Sequence, residues 1–219
     1  EYIEIINTIV SGEKLFYDGQ IFKLQRGFKL LFEPPRKHIP IYVASISPKS
    51  MQSLATAADG WMPIYWPKSK FMDGKKMIGE ASKAAGRAAD SVECVASLTV
   101  VINPDEQKAK MQAAGPISWY VTNMGDFYHE MLTRNGFGEE VAAMRKVAET
   151  HKPPPFGTNP ELMAAMGDRM LEETAIWGDL ETVAAGIEER RQLGVDLPSI
   201  SMPQGPLDHV ERVLGTLVS

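Results

Sequence analysis

Ser47-Pro48-Lys49 is the stretch of this chain best suited to binding chemistry, since a hydroxyl and an ammonium flank a proline at an expected helix start. Ser47 sits where an N-cap belongs. Pro48 follows at the first helical position, where the missing N–H has no intrahelical acceptor to lose. Met51, Leu54, Ala55 and Ala58 then recur at helical spacing, and Asp59-Gly60 closes the element. Lys49 is the odd member. A cation in the first turn opposes the helix macrodipole by a few tenths of a kcal/mol, up to about 1. A phosphate would resolve the conflict by taking the free backbone N–H groups, the Ser47 hydroxyl and the Lys49 ammonium together. An ordinary capped surface helix, with its lysine in solvent, is the plainer alternative.

Other reactive residue types are less organised. Trp61, Tyr65 and Trp66 fall at and just beyond the carboxyl end of an expected strand, where aromatic rings could wall a flat ligand. Core packing explains Trp61 equally well. Met202 and Gln204 stand at the corresponding end of the last strand. His38, His129, His151 and His209 are scattered without ligand spacing, so no metal site is expected. The adjacent pairs Glu139-Glu140, Glu172-Glu173 and Glu188-Glu189 point in different directions on a helix and are expected to be solvated. Cys94, opening an apolar strand, is expected to be a core residue.

The elements that must position these residues alternate. Tyr2, Ile5, Ile6, Ile9 and Val10 share one helical face. Asp18-Gly19 between Leu15–Tyr17 and Ile21–Leu24 signals a two-residue hairpin. Ile39 to Ala44 is expected as a buried strand running into the Pro48 helix. Strand Trp61 to Tyr65, a helical segment over 68–89 and strand Cys94 to Ile102 follow. From Asp105 to about Trp177 the pattern is helical without a convincing strand, with breaks expected at Gly115-Pro116, Asn135-Gly136 and 151–160. Asp179 caps another helix, Val195 to Met202 gives a last strand, and a final helix spans about 207–218.

Four strands separated by helices imply parallel pairing. The expected fold is therefore α/β, a partial (β/α)8 barrel of about the last four βα units, carrying a β-hairpin and a mainly helical insertion at about 105–177. A whole barrel needs about 250 residues, so residues 1–219 are expected to be the carboxyl-terminal part of one such domain. The 219 residues are 44% hydrophobic and 23% charged, with net charge −5 and one cysteine. That composition suits a globular chain and argues against a nucleic-acid surface and an internal disulfide. No apolar run approaches the roughly 20 residues of a membrane span, and a cytoplasmic location is expected.

The order of several short motifs resembles the bacterial luciferase-like oxidoreductases, and within them the branch that uses the deazaflavin coenzyme F420. The residues are Tyr17-Asp18-Gly19, Phe32 with Pro34-Pro35-Arg36, Ile39 to Ala44, Ser47-Pro48-Lys49, Ala58 to Trp61, Gly178 to Val183 and Leu193 to Pro198. The resemblance implies a cofactor across the mouth of the barrel, with its tail phosphate held at Ala44, Ser45, Ile46, Ser47, Pro48 and Lys49. Where many such proteins have glycine before Pro-Lys, this chain has Ser47. The resemblance also implies that the strands around the cofactor ring, and the catalytic residues, lie upstream of Glu1. The implied activity is hydride transfer between F420 or a flavin and a small organic substrate, with a homodimer as the assembly to test. FMN-dependent monooxygenation, a sugar-phosphate isomerase or aldolase on the same barrel, and a non-catalytic fragment are the alternatives.

Overall fold

The computed structural model describes residues 1–201 and 207–217. Helix α1 (Tyr2–Val10) leads into hairpin strands β1 (Leu15–Asp18) and β2 (Lys23–Phe28), which pair antiparallel with a bulge between Leu15 and Tyr17. The turn is longer than the two-residue loop expected: it spans 19–22, closed by the Gly19 N–H to the Phe22 carbonyl at 2.9 Å. Glu1 holds its tip, its carboxylate accepting the N–H groups of Gln20, Ile21 and Phe22 at 2.6 to 3.2 Å.

Strand β3 (Tyr42–Val43) is shorter and more open than the buried run expected over Ile39 to Ala44. Among the described residues it pairs with β4 (Gly60–Trp61) alone, and Ile39 ahead of it is 48% exposed. Pro40 also lacks an N–H for a ladder. Between them lies α2 (Pro48–Leu54), whose Met51 and Leu54, with Ala55 and Ala58 beyond its end, fill the core. After β4 the chain forms a 3₁₀ turn over 68–70 and α3 (Phe71–Ala84).

The expected strand Cys94 to Ile102 is split into β5 (Glu93–Cys94) and β6 (Ser97–Ile102) because its neighbours change. The N–H groups of Glu93, Val95 and Ser97 donate to Asp59, Trp61 and Pro63, and Ile64 bridges Ser97. Farther along, β6 pairs with β7 (Ala175–Gly178) on one side and β8 (Ser199–Ile200) on the other. All these pairings outside the hairpin are parallel, giving sheets β3-β4-β5 and β7-β6-β8.

Strand β7 corrects the expectation of an insertion without strands. Helix α7 (Pro160–Thr174) runs directly into it with no Gly or Pro between, which hides the change of period. Helix α4 (Glu106–Asn123) likewise passes unbroken through Gly115-Pro116. Gly115 serves close packing instead: a Cβ there would stand 2.6 Å from the Phe156 carbonyl oxygen. Helix α5 (Phe127–Leu132) leads through Thr133–Phe137 into α6 (Gly138–Ala148), kinked at Gly136 with φ +94°, the break expected there. Helices α4, α6 and α7 pack on one another around Ile117, Met131, Leu132, Met144 and Leu162, all buried. Helix α8 (Leu180–Gln192) begins at the expected Asp179 cap and ends before Gly194 at φ +106°. It packs with α9 (Leu207–Leu217) around Val183, Ile187 and Val213.

Candidate functional site

The Ser47 start folds as its sequence indicates. Ser47 is extended, its hydroxyl accepts the Ser50 N–H at 3.3 Å, and Pro48 opens α2. Because that bond uses the oxygen as acceptor, the hydroxyl proton stays available to donate. With seven residues, α2 accumulates little macrodipole, so anion binding here must rest on side chains. Lys49 is exposed and forms no ion pair among the described residues.

Ser45 has the strongest physical case in the turn. The residue is 6% exposed, and its hydroxyl is buried without a hydrogen-bond partner. Buried polar groups are nearly always satisfied, and an orphaned one costs about 1–3 kcal/mol. Trp61 fixes the turn from below: its indole N–H donates to the Ser45 carbonyl at 2.8 Å, and its ring lies edge-on to Trp66 at 5.2 Å. Trp66 in turn donates from Nε1 to the Lys70 carbonyl at 3.0 Å. Both indoles are buried in the core.

A cleft of about 300 Å3 opens at the carboxyl ends of β3 and β4. Ala44 to Ser47 and Ser50 form one side, Met62 and Ile64 the floor, and Phe127 and Tyr128 of α5 the far wall. Four of the six turn residues singled out from sequence thus come together, while Pro48 and Lys49 sit exposed beside them. Behind Tyr128, Tyr65 is buried with φ 53°, a region unfavourable for a bulky side chain. Its ring packs 5.1 Å from Tyr120 and 6.0 Å from Tyr128, and burial pushes its hydroxyl pKa up, keeping it protonated. Met202 and Gln204 lie outside the described residues.

One contact has no local sequence signal. Arg134, between α5 and α6, donates from Nη2 to the Ile46 carbonyl at 3.1 Å across 88 residues of chain. Other charged groups are less solvated than expected. Glu140 accepts from Arg169 Nε at 2.9 Å, Glu173 from the Ser69 N–H at 2.9 Å, and Glu189 from Lys68 at 2.7 Å. His38 stands 3.0 Å from Asp59. Cys94 is buried as expected, its thiol pushed up to about 12 mainly by desolvation.

These features define a parallel α/β protein with a cleft at the carboxyl ends of its strands, a buried unpartnered hydroxyl in the adjoining turn and an exposed lysine beside it. A family model for luciferase-like monooxygenases matches residues 1–197, and the chain belongs to that family. Over 207 residues it is 28% identical to 5,10-methylenetetrahydromethanopterin reductase of Archaeoglobus fulgidus, covering 94% of this chain and 60% of that protein. It also superposes on the structure of coenzyme F420 dependent tetrahydromethanopterin reductase from Methanopyrus kandleri. The TM-score is 0.75 at 23% identity, covering 97% of this chain and 59% of that one. An F420-dependent secondary alcohol dehydrogenase in complex with an F420-acetone adduct matches with TM-score 0.63 at 15% identity, covering 98% and 59%. The chain has the fold of these proteins and spans less than two thirds of their length.

Proposed function

We propose that this chain is the carboxyl-terminal part of an F420-dependent oxidoreductase, and that the turn over residues 44–49 seats the phosphate of the cofactor tail. The observation that carries this reading is the buried, unpartnered Ser45 hydroxyl in the wall of a cleft at the strand ends. The donor set suits a phosphate: the hydroxyls of Ser45 and Ser47 and the ammonium of Lys49 are all donors, and phosphate oxygens are all acceptors. The relatives named for F420 or for a reductase that uses it support the deazaflavin over FMN.

When bound, a deazaflavin supplies a ring carbon that gives or accepts a hydride. The residues of this chain would bind and orient: the turn anchors the tail, and Met62, Ile64, Phe127 and Tyr128 exclude water beside it. The finer architecture belongs to the same proposal. Among the described residues β3, β7 and β8 each pair with one strand, so the parallel sheets keep open edges at β3 and β8 as well as at β7. Further strands between those edges would complete a barrel and supply the ring pocket.

Titrating the full-length protein with F420 and with FMN, followed by cofactor fluorescence, tests the reading. Saturable binding of F420 in preference to FMN is expected. Preference for FMN would move the protein to the flavin branch of the family, and binding of neither would remove the oxidoreductase proposal.

A further inference from the structure

We infer that Arg134 is a second cation of the phosphate seat, brought to it by the helical insertion; this rests on the proposed role of the turn at 44–49. The insertion places Arg134 through a backbone irregularity. Residues 133–137 carry the chain from α5 into α6 across a kink at Gly136, φ +94°. A left-handed glycine lets a helix change direction and so re-aims the side chains beside it. This one is held from behind: the Arg169 guanidinium lies 4.3 Å from the Phe137 ring centroid and donates to the Gly136 carbonyl at 2.9 Å. Asn135 donates to the Met131 carbonyl at 2.9 Å, and Met131, Leu132 and Phe137 are buried. Arg134 therefore projects from a fixed base.

Its guanidinium already touches the seat. Nη2 donates to the carbonyl of Ile46, one residue from the orphaned Ser45 hydroxyl and itself part of the cleft wall. A guanidinium has five N–H donors. The Ile46 carbonyl uses one, and Glu130 stands 3.5 Å from Nη1 at a distance typical of a loose surface pair. Donors remain for an anion, and the planar fork suits phosphate oxygens better than an ammonium does. A guanidinium serving merely to tie the insertion to the turn would use the same Ile46 contact but would be indifferent to what the cleft holds.

Phosphate dependence separates these roles. Binding to the full-length protein is measured by fluorescence with F420 and with the corresponding phosphate-free deazaflavin alcohol, for R134A, R134K, K49A and S45A, each checked for an unchanged melting profile. R134A is expected to weaken F420 binding about ten- to a hundredfold, the scale of a charge-assisted contact, and to leave the phosphate-free ligand unaffected. R134K is expected to restore part of the loss. Equal losses on both ligands, or none on either, overturn the inference. If K49A and S45A discriminate between the ligands while R134A does not, Arg134 alone is misassigned. If none of the variants discriminates, the seat itself is wrong and the inference falls with it.

Discussion

Ser45 carries two opposite energies that one substitution separates. In the free protein its hydroxyl is desolvated without return, so Ser45→Ala is expected to leave thermal stability unchanged or raise it by about 1 kcal/mol. The same change is expected to weaken F420 binding. Paired melting and titration curves check this, and a loss of stability would mean that the hydroxyl has a partner. Lys49 gives a simpler case: Lys49→Ala is expected to weaken cofactor binding by about 1–3 kcal/mol while leaving stability unaltered, because the side chain is exposed. Unchanged affinity would make it a surface lysine. At this scale the sequence was informative where the chemistry is local. Ser47, Pro48 and Lys49 are neighbours, and helix-start physics singles them out. Arg134 escapes such reasoning, since its role depends on a contact spanning 88 residues. Trp61, open to two readings in sequence, turns out to be a core residue that also steadies the Ser45 carbonyl.

Among the elements, caps were the most legible features and short strands the least. Ser47 and Asp179, the two caps expected, each accept a first-turn N–H, as do Asp105 and Asn159, which were not singled out as caps. Two of these caps titrate. Hydrogen bonds from the Thr182 N–H to Asp179, and from Lys108 to Asp105, hold both carboxyls below the ordinary value of 3.8. A lowered folded-state pKa contributes stability above the unfolded value, and that contribution is lost as pH falls through the folded one. Melting temperature is therefore expected to drop below about pH 4. In Asp179→Asn, which keeps a capping oxygen without the charge, this drop should be shallower. The kink at Gly136 allows another test. A Cβ on Gly136 would meet nothing within 4 Å, so Gly136→Ala is expected to cost about 1–2 kcal/mol from backbone conformation alone. Chemical denaturation measures that cost. Strand β7 was illegible because four residues are too few to establish a period-two pattern after a helix with no turn residue between.

For the molecule as a whole, alternation of strand and helix was enough to indicate parallel sheets, while strand lengths depended on neighbours that no local pattern reveals. β3 is two residues long and, among the described residues, pairs with β4 alone. The same end of the chain is unusually apolar at its surface: Tyr2, Phe16, Ile21, Phe28, Leu31 and Phe32 are each more than half exposed. Apolar exposure of that kind favours association. Residues 1–219 expressed alone are expected to elute above monomer size in gel filtration, and Leu31→Lys with Phe32→Glu is expected to shift them toward monomer. A monodisperse monomer of the unsubstituted chain would show that this surface is tolerated without cover.

Strand β6 has a consequence for how such proteins diversify. The chain leaves it at Asn103, builds α4 to α7, and returns through β7 so that the Asn103 N–H meets the Gly178 carbonyl at 2.7 Å. The return begins at Ala175, opposite Thr99, so α4 to α7 form a crossover between opposite ends of two parallel strands, and their buried side chains share one core with Met51, Trp61 and Phe71. Phe127 and Tyr128 of the cleft belong to that crossover, so exchanging it between homologues is expected to change ligand preference.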